Sequence, residues 1–345
     1  MDYIKSISDV QNYDIKKDER LLHSAQHEDI LAGLTTDIYF LTTLDILNYM
    51  EIADKEVVVE IFARKPGIFV GIEEVRNILK DKNVEMWALE EGTEFEPKET
   101  LVRIKGPYKN FGIFESVILG CLASPSGWAT AAKEVKEACG DKTFVCFGTR
   151  HVHPSVAPVM ERAARIGGAS SVSNILTAKQ IGENPTGTLP HAAFLVAGDT
   201  LEVAQVYDKI MPENYNRIVL VDTFKDEVEE TLRLAKEMGK NLFGIRLDTP
   251  SERGGVTPDL VKEIRAKLDL NGYNWVKIFV SGGLKPEKIK ILSEAGVDAF
   301  GVGSYISGAP AIDMTMDIKQ VEDKPIAKRG RIPGLIENPK LVKML

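Results

Sequence analysis

Cysteine is scarce in this chain of 345 residues, with Cys121, Cys139 and Cys146 the only three. Their spacing makes neither a disulfide framework nor a zinc motif, so each reads as a reduced or buried thiol. No run approaches the ~18 apolar residues that a membrane-spanning helix needs. The stretch Met1-Asp2-Tyr3-Ile4-Lys5 lacks a basic region followed by an apolar one, so no signal peptide is expected. A basic excess is missing too. Lys and Arg number 43 against 51 Asp and Glu, a net charge of −8. Broad nucleic-acid binding wants a basic face and is not expected. An anionic substrate stays open, because a pocket can be locally positive. These absences predict a cytoplasmic globular protein with no membrane or nucleic-acid partner.

What is present is ordinary in amount: 44 % apolar and 27 % charged residues, enough for one barrel and a smaller domain. Residues 1–35 are polar and irregular and read as an N-terminal arm. Ile38, Leu41, Leu44 and Leu47 recur at helical spacing. A strand at 56–62, a helix at 72–79 and an alternating strand at 101–105 follow, so 36–125 reads as an α+β domain. The stretch 111–140 is helical and small-residue rich, and Ala123-Ser124-Pro125-Ser126-Gly127 predicts a break between two helices. Across 126–310, strands at 144–147, 170–173, 218–221, 243–245, 276–280 and 299–302 alternate with helices. Thr257-Pro258 starts one of those helices as cap and first residue. Buried-type Val/Ile runs in that pattern mean a parallel sheet. Six strands are short of the eight of a complete barrel, so the fold class is α/β: an irregular, incomplete (β/α) barrel, or one with a missed strand pair, with an N-terminal α+β domain. Residues 311–345 are expected to pack back on that domain.

Four strand tips carry the chemistry: Val221-Asp222-Thr223-Phe224, Arg246-Leu247-Asp248-Thr249-Pro250, Ser281-Gly282-Gly283 and Gly301-Val302-Gly303-Ser304. Parallel α/β barrels place their sites at such C-terminal ends. The carboxylate pair Asp222 and Asp248 suits Mg²⁺, which takes one or two protein oxygens, or the hydroxyls of a ribose. Either aspartate alone serves equally as a helix cap. The two glycine tips suit a phosphate, since glycine lets backbone N–H groups approach its oxygens. Together they suggest a metal-bound, phosphorylated sugar. Phe147-Gly148-Thr149-Arg150-His151 adds an aromatic for stacking and a guanidinium for pyrophosphate; a core phenylalanine and a surface arginine are the bland alternatives. His191 stands in a Gly/Pro-rich loop and is either a nucleophile or acid/base, or a solvent-exposed residue.

In this order, Thr36-Asp37-Ile38-Tyr39, Phe147-Gly148-Thr149-Arg150, Gly187-Thr188-Leu189-Pro190-His191, Asp222-Thr223, Arg246-Leu247-Asp248, Ser281-Gly282-Gly283 and Gly301-Val302-Gly303 resemble the nicotinate phosphoribosyltransferase family, especially its short archaeal-type members. The resemblance spans roughly residues 25–335. The segment Arg162-Ala163-Ala164-Arg165-Ile166-Gly167-Gly168-Ala169 is also similar to quinolinate phosphoribosyltransferases, the sister family. The resemblance implies the type II phosphoribosyltransferase fold and the conversion of nicotinate and phosphoribosyl pyrophosphate to nicotinate mononucleotide and pyrophosphate, in NAD salvage. It implies Mg²⁺ on Asp222 and Asp248, Arg150 on pyrophosphate, and Ser281, Gly282, Gly283, Gly301, Val302 and Gly303 on phosphate. Nicotinate would lie between Phe147 and a Tyr39 from a neighbouring subunit, with Arg246 facing its carboxylate. Ser170 matches a position where nicotinamide-specific relatives place an aspartate, and serine favours the acid. His191 would be phosphorylated by ATP, the co-substrate. A homodimer with shared active sites is implied, or a hexamer built as a trimer of dimers. Many archaeal-type members carry a cysteine-rich zinc knuckle near their C-terminus; with no cysteine there, no zinc is expected. Two rivals stand beside this: a decarboxylating quinolinate phosphoribosyltransferase, disfavoured by Thr149-Arg150-His151-Val152 where those enzymes show Thr-Arg-Lys-Thr, and a non-catalytic mononucleotide-binding barrel.

Overall fold

The computed structural model describes residues 4–15 and 20–345. Residues 1–3 and 16–19 of the expected arm lie outside the described residues. The strands in chain order are β1 (Glu56–Ala63), β2 (Gly67–Ile68), β3 (Glu85–Ala88), β4 (Glu94–Phe95), β5 (Thr100–Pro107), β6 (Thr143–Cys146), β7 (Ser171–Val172), β8 (Ile218–Leu220), β9 (Gly244–Leu247), β10 (Lys277–Val280), β11 (Ala299–Val302), β12 (Met314–Val321), β13 (Lys324–Pro325) and β14 (Val342–Lys343). The chain divides into two compact units. One holds the residues up to Thr130 together with Pro310–Leu345, and the other holds Ala131–Ala309.

The first unit is built on an antiparallel sheet in the order β13-β12-β1-β5-β3-β14. The Val/Ile-rich strand β1 is central and buried along nearly its whole length. Its side chains join Leu41, Leu44, Phe69, Val75, Leu79, Phe111 and Phe114 in one core. Ile4, read as part of a polar arm, is buried in that core, and its N–H donates to Ala32 O at 3.1 Å. Two short helices, Ile7–Asn12 and His27–Leu31, occupy the rest of the described arm. Glu60 is an acid inside β1. Its burial is compensated by Arg103, opposite it on β5, whose Nε and Nη2 donate at 3.0 and 2.7 Å, and by the Ile336 N–H. Asn338 donates to Glu99 and to Thr100 O, so residues 336–338 are tied to β1 and to the start of β5.

The expected break at Ala123–Gly127 is absent, because one helix runs unbroken over Glu115–Cys139 with Pro125 inside it. Proline supplies no N–H, so the carbonyl of Cys121, four residues back, loses its helical partner. Gly71 packs there instead. A Cβ at Gly71 would stand 1.9 Å from Cys121 O, and its φ of +105° is one that glycine tolerates. Ser126 and Thr130 accept from Val70 N and Ile68 N at 3.2 and 2.9 Å. The small residues therefore admit the 67–71 segment rather than ending the helix.

The second unit is a parallel sheet in the order β7-β6-β11-β10-β9-β8, with β7 and β8 at its edges. Phe144, Cys146, Val219, Leu220, Ile245, Leu247, Ile278, Val280, Phe300 and Val302 are buried on its strands. Helices return the chain between strands, as a parallel ladder requires. The helix Pro258–Leu270 is capped by Thr257, which accepts from Leu260 N at 3.2 Å. Among the described residues, no helix is long and apolar enough to cross a membrane.

Candidate functional site

The C-terminal ends of β6, β9, β10 and β11 converge in the second unit. Phe147 follows β6, and its N–H donates to Val302 O at 2.8 Å, extending the ladder by one residue. Its ring packs against the next strand, where a Cβ at Gly301 would come within 2.3 Å of the ring. Gly301 is thus needed for the ring of Phe147. A Cβ at Gly303 would stand 2.8 Å from both the His151 ring and Phe147 O. Val302 is a buried strand residue. The last glycine tip therefore packs against its own unit's aromatic turn. The Ser281-Gly282-Gly283 tip differs. Gly282 and Gly283 have φ of +93° and +59°, and a Cβ at Gly283 would meet nothing within 4 Å.

Arg246 projects from β9 with its side chain 17 % exposed. Its Nε donates to Ser281 Oγ at 2.8 Å, Nη1 to Thr188 Oγ1 at 2.6 Å and Nη2 to Asp248 Oδ2 at 3.2 Å. Ser281 Oγ in turn donates to Asp248 Oδ1 at 2.7 Å. The guanidinium carbon stands 5.5 Å from the centre of the Phe147 ring. A guanidinium has five N–H donors. Three are engaged here, leaving one on each terminal nitrogen. Arg246, Phe147, Thr186, Thr188, Phe279 and Ser281 line a cavity of about 30 Å³, and among the described residues Arg246 is the one cation in its lining. That is room for roughly one water. A planar aromatic ligand needs more room than that.

His191 and Asp222 form a second pair. His191 is not in a loop, as its Gly/Pro-rich surroundings suggested: it opens the helix His191–Ala197, with Pro190 as the cap. Its Nε2 lies 3.2 Å from Asp222 Oδ2, and the two side chains are 35 % and 2 % exposed. Burial raises the Asp222 carboxyl above its usual range against the pull of His191, and Asp248 adds to the rise. Asp222 Oδ1 and the neighbouring Thr223 Oγ1 are buried without a hydrogen-bond partner. An orphaned carboxylate oxygen, with a second carboxylate close enough to perturb it, fits a Mg²⁺ that retains waters and phosphate oxygens. Among the described residues, no group of three or more metal-type side chains gathers, so a dedicated all-protein cage is not built.

The remaining candidates are scattered. Arg150 is exposed on the short turn Thr149–His151 after β6. Burial and Arg150 together push the His151 imidazole below its ordinary range. Ser170 is not brought into the cluster. Its hydroxyl and N–H both donate to Phe144 O, at 2.7 and 2.9 Å, near the start of β6 and three residues before Phe147. Tyr39 belongs to the first unit and is 57 % exposed. Two residues escaped the sequence reading. Thr188 was visible only as part of a motif. Glu161 left a sharper signal, an acid on the apolar stripe Ala157, Met160 and Ala164 of its helix.

Family models described as the quinolinate phosphoribosyl transferase N-terminal and C-terminal domains match residues 37–126 and 128–317. The crystal structure of nicotinate-nucleotide pyrophosphorylase from Pyrococcus furiosus is 44 % identical, covers 92 % of this chain and 82 % of that chain, and superposes with a TM-score of 0.88. Nicotinate phosphoribosyltransferase pncB2 of Mycobacterium tuberculosis is 33 % identical over 242 residues, 67 % of this chain and 50 % of that protein. Nicotinate phosphoribosyltransferase of Bacillus subtilis is 28 % identical over 69 % of this chain and 49 % of its own length. The chain thus spans about half the length of these two transferases.

Proposed function

Since the chain belongs to the quinolinate phosphoribosyl transferase family, whose members are phosphoribosyltransferases of the type II fold, we propose that it transfers the phosphoribosyl group to nicotinate, with coupled ATP hydrolysis. The carrying observation is the single cation of the cavity. Arg246 keeps one free N–H on each terminal nitrogen, which is the fork for one carboxylate. Nicotinate has one carboxylate and quinolinate two. Phe147 against the same guanidinium supplies a face for a pyridine ring.

Transfer breaks the ribose C1–O bond, with positive charge growing on the sugar and negative charge on the leaving pyrophosphate. The pyridine nitrogen already has its lone pair and needs no general base. The protein's work is alignment and charge placement. Arg246 and Phe147 hold the base. Arg150 would neutralise the leaving group, and Gly282 and Gly283 would approach the 5′-phosphate. Mg²⁺, held by Asp222 Oδ1 and Asp248, would supply further positive charge at the leaving oxygens. Asp222 accepting from His191 Nε2–H would fix the imidazole tautomer and leave Nδ1 free to attack the γ-phosphorus of ATP, breaking its bond to the bridging oxygen and releasing ADP. Tyr39 would cover the far face of the pyridine from a second subunit. Ser170 has no part in this reading.

Decarboxylating transfer to quinolinate is the second reading, favoured by the family description and by the name of the Pyrococcus relative. It requires another basic group for the second carboxylate. The test is formation of nicotinate mononucleotide from nicotinate and phosphoribosyl pyrophosphate. Arg246→Leu should raise the nicotinate KM by about 100-fold, as loss of a charged hydrogen-bond pair does. His191→Ala should end ATP hydrolysis and leave slow ATP-independent transfer. No product from nicotinate, or ATP stimulation that survives His191→Ala, would contradict the respective parts.

A further inference from the structure

Glu161 is completely buried on the helix Ala157–Ile166, and among the described residues every hydrogen bond it receives comes from a neutral group. Oε1 accepts from Thr149 Oγ1 at 2.5 Å and from Ser173 Oγ at 2.7 Å. Oε2 accepts from the N–H groups of Ser173 and Asn174 at 2.8 and 2.7 Å. Burying a carboxylate is costly, and an apolar residue in this stripe would be the simple way to fill the space. The acid does something that an apolar residue cannot. It fastens two strand tips at once. Thr149 begins the turn after β6, and Ser173 and Asn174 follow β7, with Asn174 capping the helix Ile175–Gln180. The residue after Thr149 is Arg150, whose own side chain is exposed.

We propose that Glu161 is a positioning residue for an anion. By gripping the Thr149 hydroxyl it fixes the turn that presents Arg150, so that the guanidinium meets pyrophosphate without first being ordered. The same device recurs at the β9 tip. There the buried Glu227 accepts from Thr249 Oγ1, the residue after Asp248, at 2.9 Å. A preset turn saves the entropy of ordering on binding. Of the four bonds to Glu161, only the one from Thr149 acts on the Arg150 turn.

The proposal rests on the phosphoribosyl-transfer reading for its ligand, but not on the choice of base. Its test is therefore the binding of inorganic pyrophosphate to the full chain, measured calorimetrically without any pyridine substrate. Arg150→Ala should weaken binding by about tenfold, and Thr149→Val by several-fold. Thr149→Val in the Arg150→Ala background should then add little, because both changes act through one group. Ser173→Ala also removes one bond from Glu161, but should leave pyrophosphate affinity unchanged. Glu161→Gln should behave like Thr149→Val; its thermal unfolding is recorded beside binding, and the threonine variant carries the test if the glutamine one does not fold. Equal effects of Thr149→Val and Ser173→Ala, or additive losses in the double variant, would overturn the positioning role. No loss in Arg150→Ala would overturn it at its root. Normal pyrophosphate behaviour combined with no turnover of nicotinate would refute the choice of base alone.

Discussion

At the scale of single residues, the central polar object is the chain Thr188–Arg246–Asp248–Ser281. Each side chain fixes the next, so Arg246 and Asp248 are oriented before any ligand arrives. Asp248→Asn keeps the shape and removes the charge. It should lower kcat by about 100-fold while changing the nicotinate KM little, because in the proposed site the carboxylate would act on the leaving group through Mg²⁺ and not on the base. Wild-type kinetics in that variant would remove Asp248 from the site. A separate residue carries a pH signature. Burial, aided by Asp317, raises the Glu115 carboxyl from 4.5 to about 7. The unfolded chain ionises this group first. Its contribution to stability is thus complete below the unfolded pKa and is lost as pH rises through about 7. Glu115→Gln should therefore gain stability relative to wild type as pH rises from about 5 to about 8. Urea midpoints at the two values decide it; a constant difference would contradict the burial account.

At the scale of elements, the helix Glu115–Cys139 depends on a glycine in another segment. Gly71→Ala forces a methyl into Cys121 O and strains a left-handed backbone, and should cost about 2–4 kcal/mol. Gly120→Ala lies in the same helix with nothing within 4 Å, and should stabilise by about 0.5–1 kcal/mol. Denaturant unfolding of the two variants checks both signs. Pro125 also marks where sequence alone falls short. Its local preference is for a break, and what overrides that preference, the packing of Gly71, lies in another segment of the chain. Six parallel strands and the helix Ile72–Leu79 were legible, because Val/Ile runs and a strong amphipathic period are local signals. The helices Ile175–Gln180 and His191–Ala197 were not, being too short to show a period. Strand β12 pairs with β1 from the far end of the chain, which no local pattern announces. The aspartate tips and Arg246 were visible as residues at strand ends. Their mutual bonds, the packing of Gly301 under Phe147 and the displacement of Ser170 depend on register, and register is a property of the sheet.

At the scale of the whole molecule, two compact units are assembled from an interrupted chain, the first from both ends and the second from the middle. The cavity, the His191–Asp222 pair and the glycine tips all belong to the second unit, while Tyr39 belongs to the first. If Tyr39 comes from a second subunit, as proposed, activity will require an oligomer. The claim that matters most is the choice of a one-carboxylate base, and competition tests it most directly. The chain is given phosphoribosyl pyrophosphate, Mg²⁺ and ATP with equal concentrations of nicotinate and carboxyl-labelled quinolinate. Nicotinate consumption should match pyrophosphate release, with labelled CO₂ near background. Labelled CO₂ released at a rate equal to or above nicotinate consumption would contradict the account and assign the chain to the decarboxylating reaction.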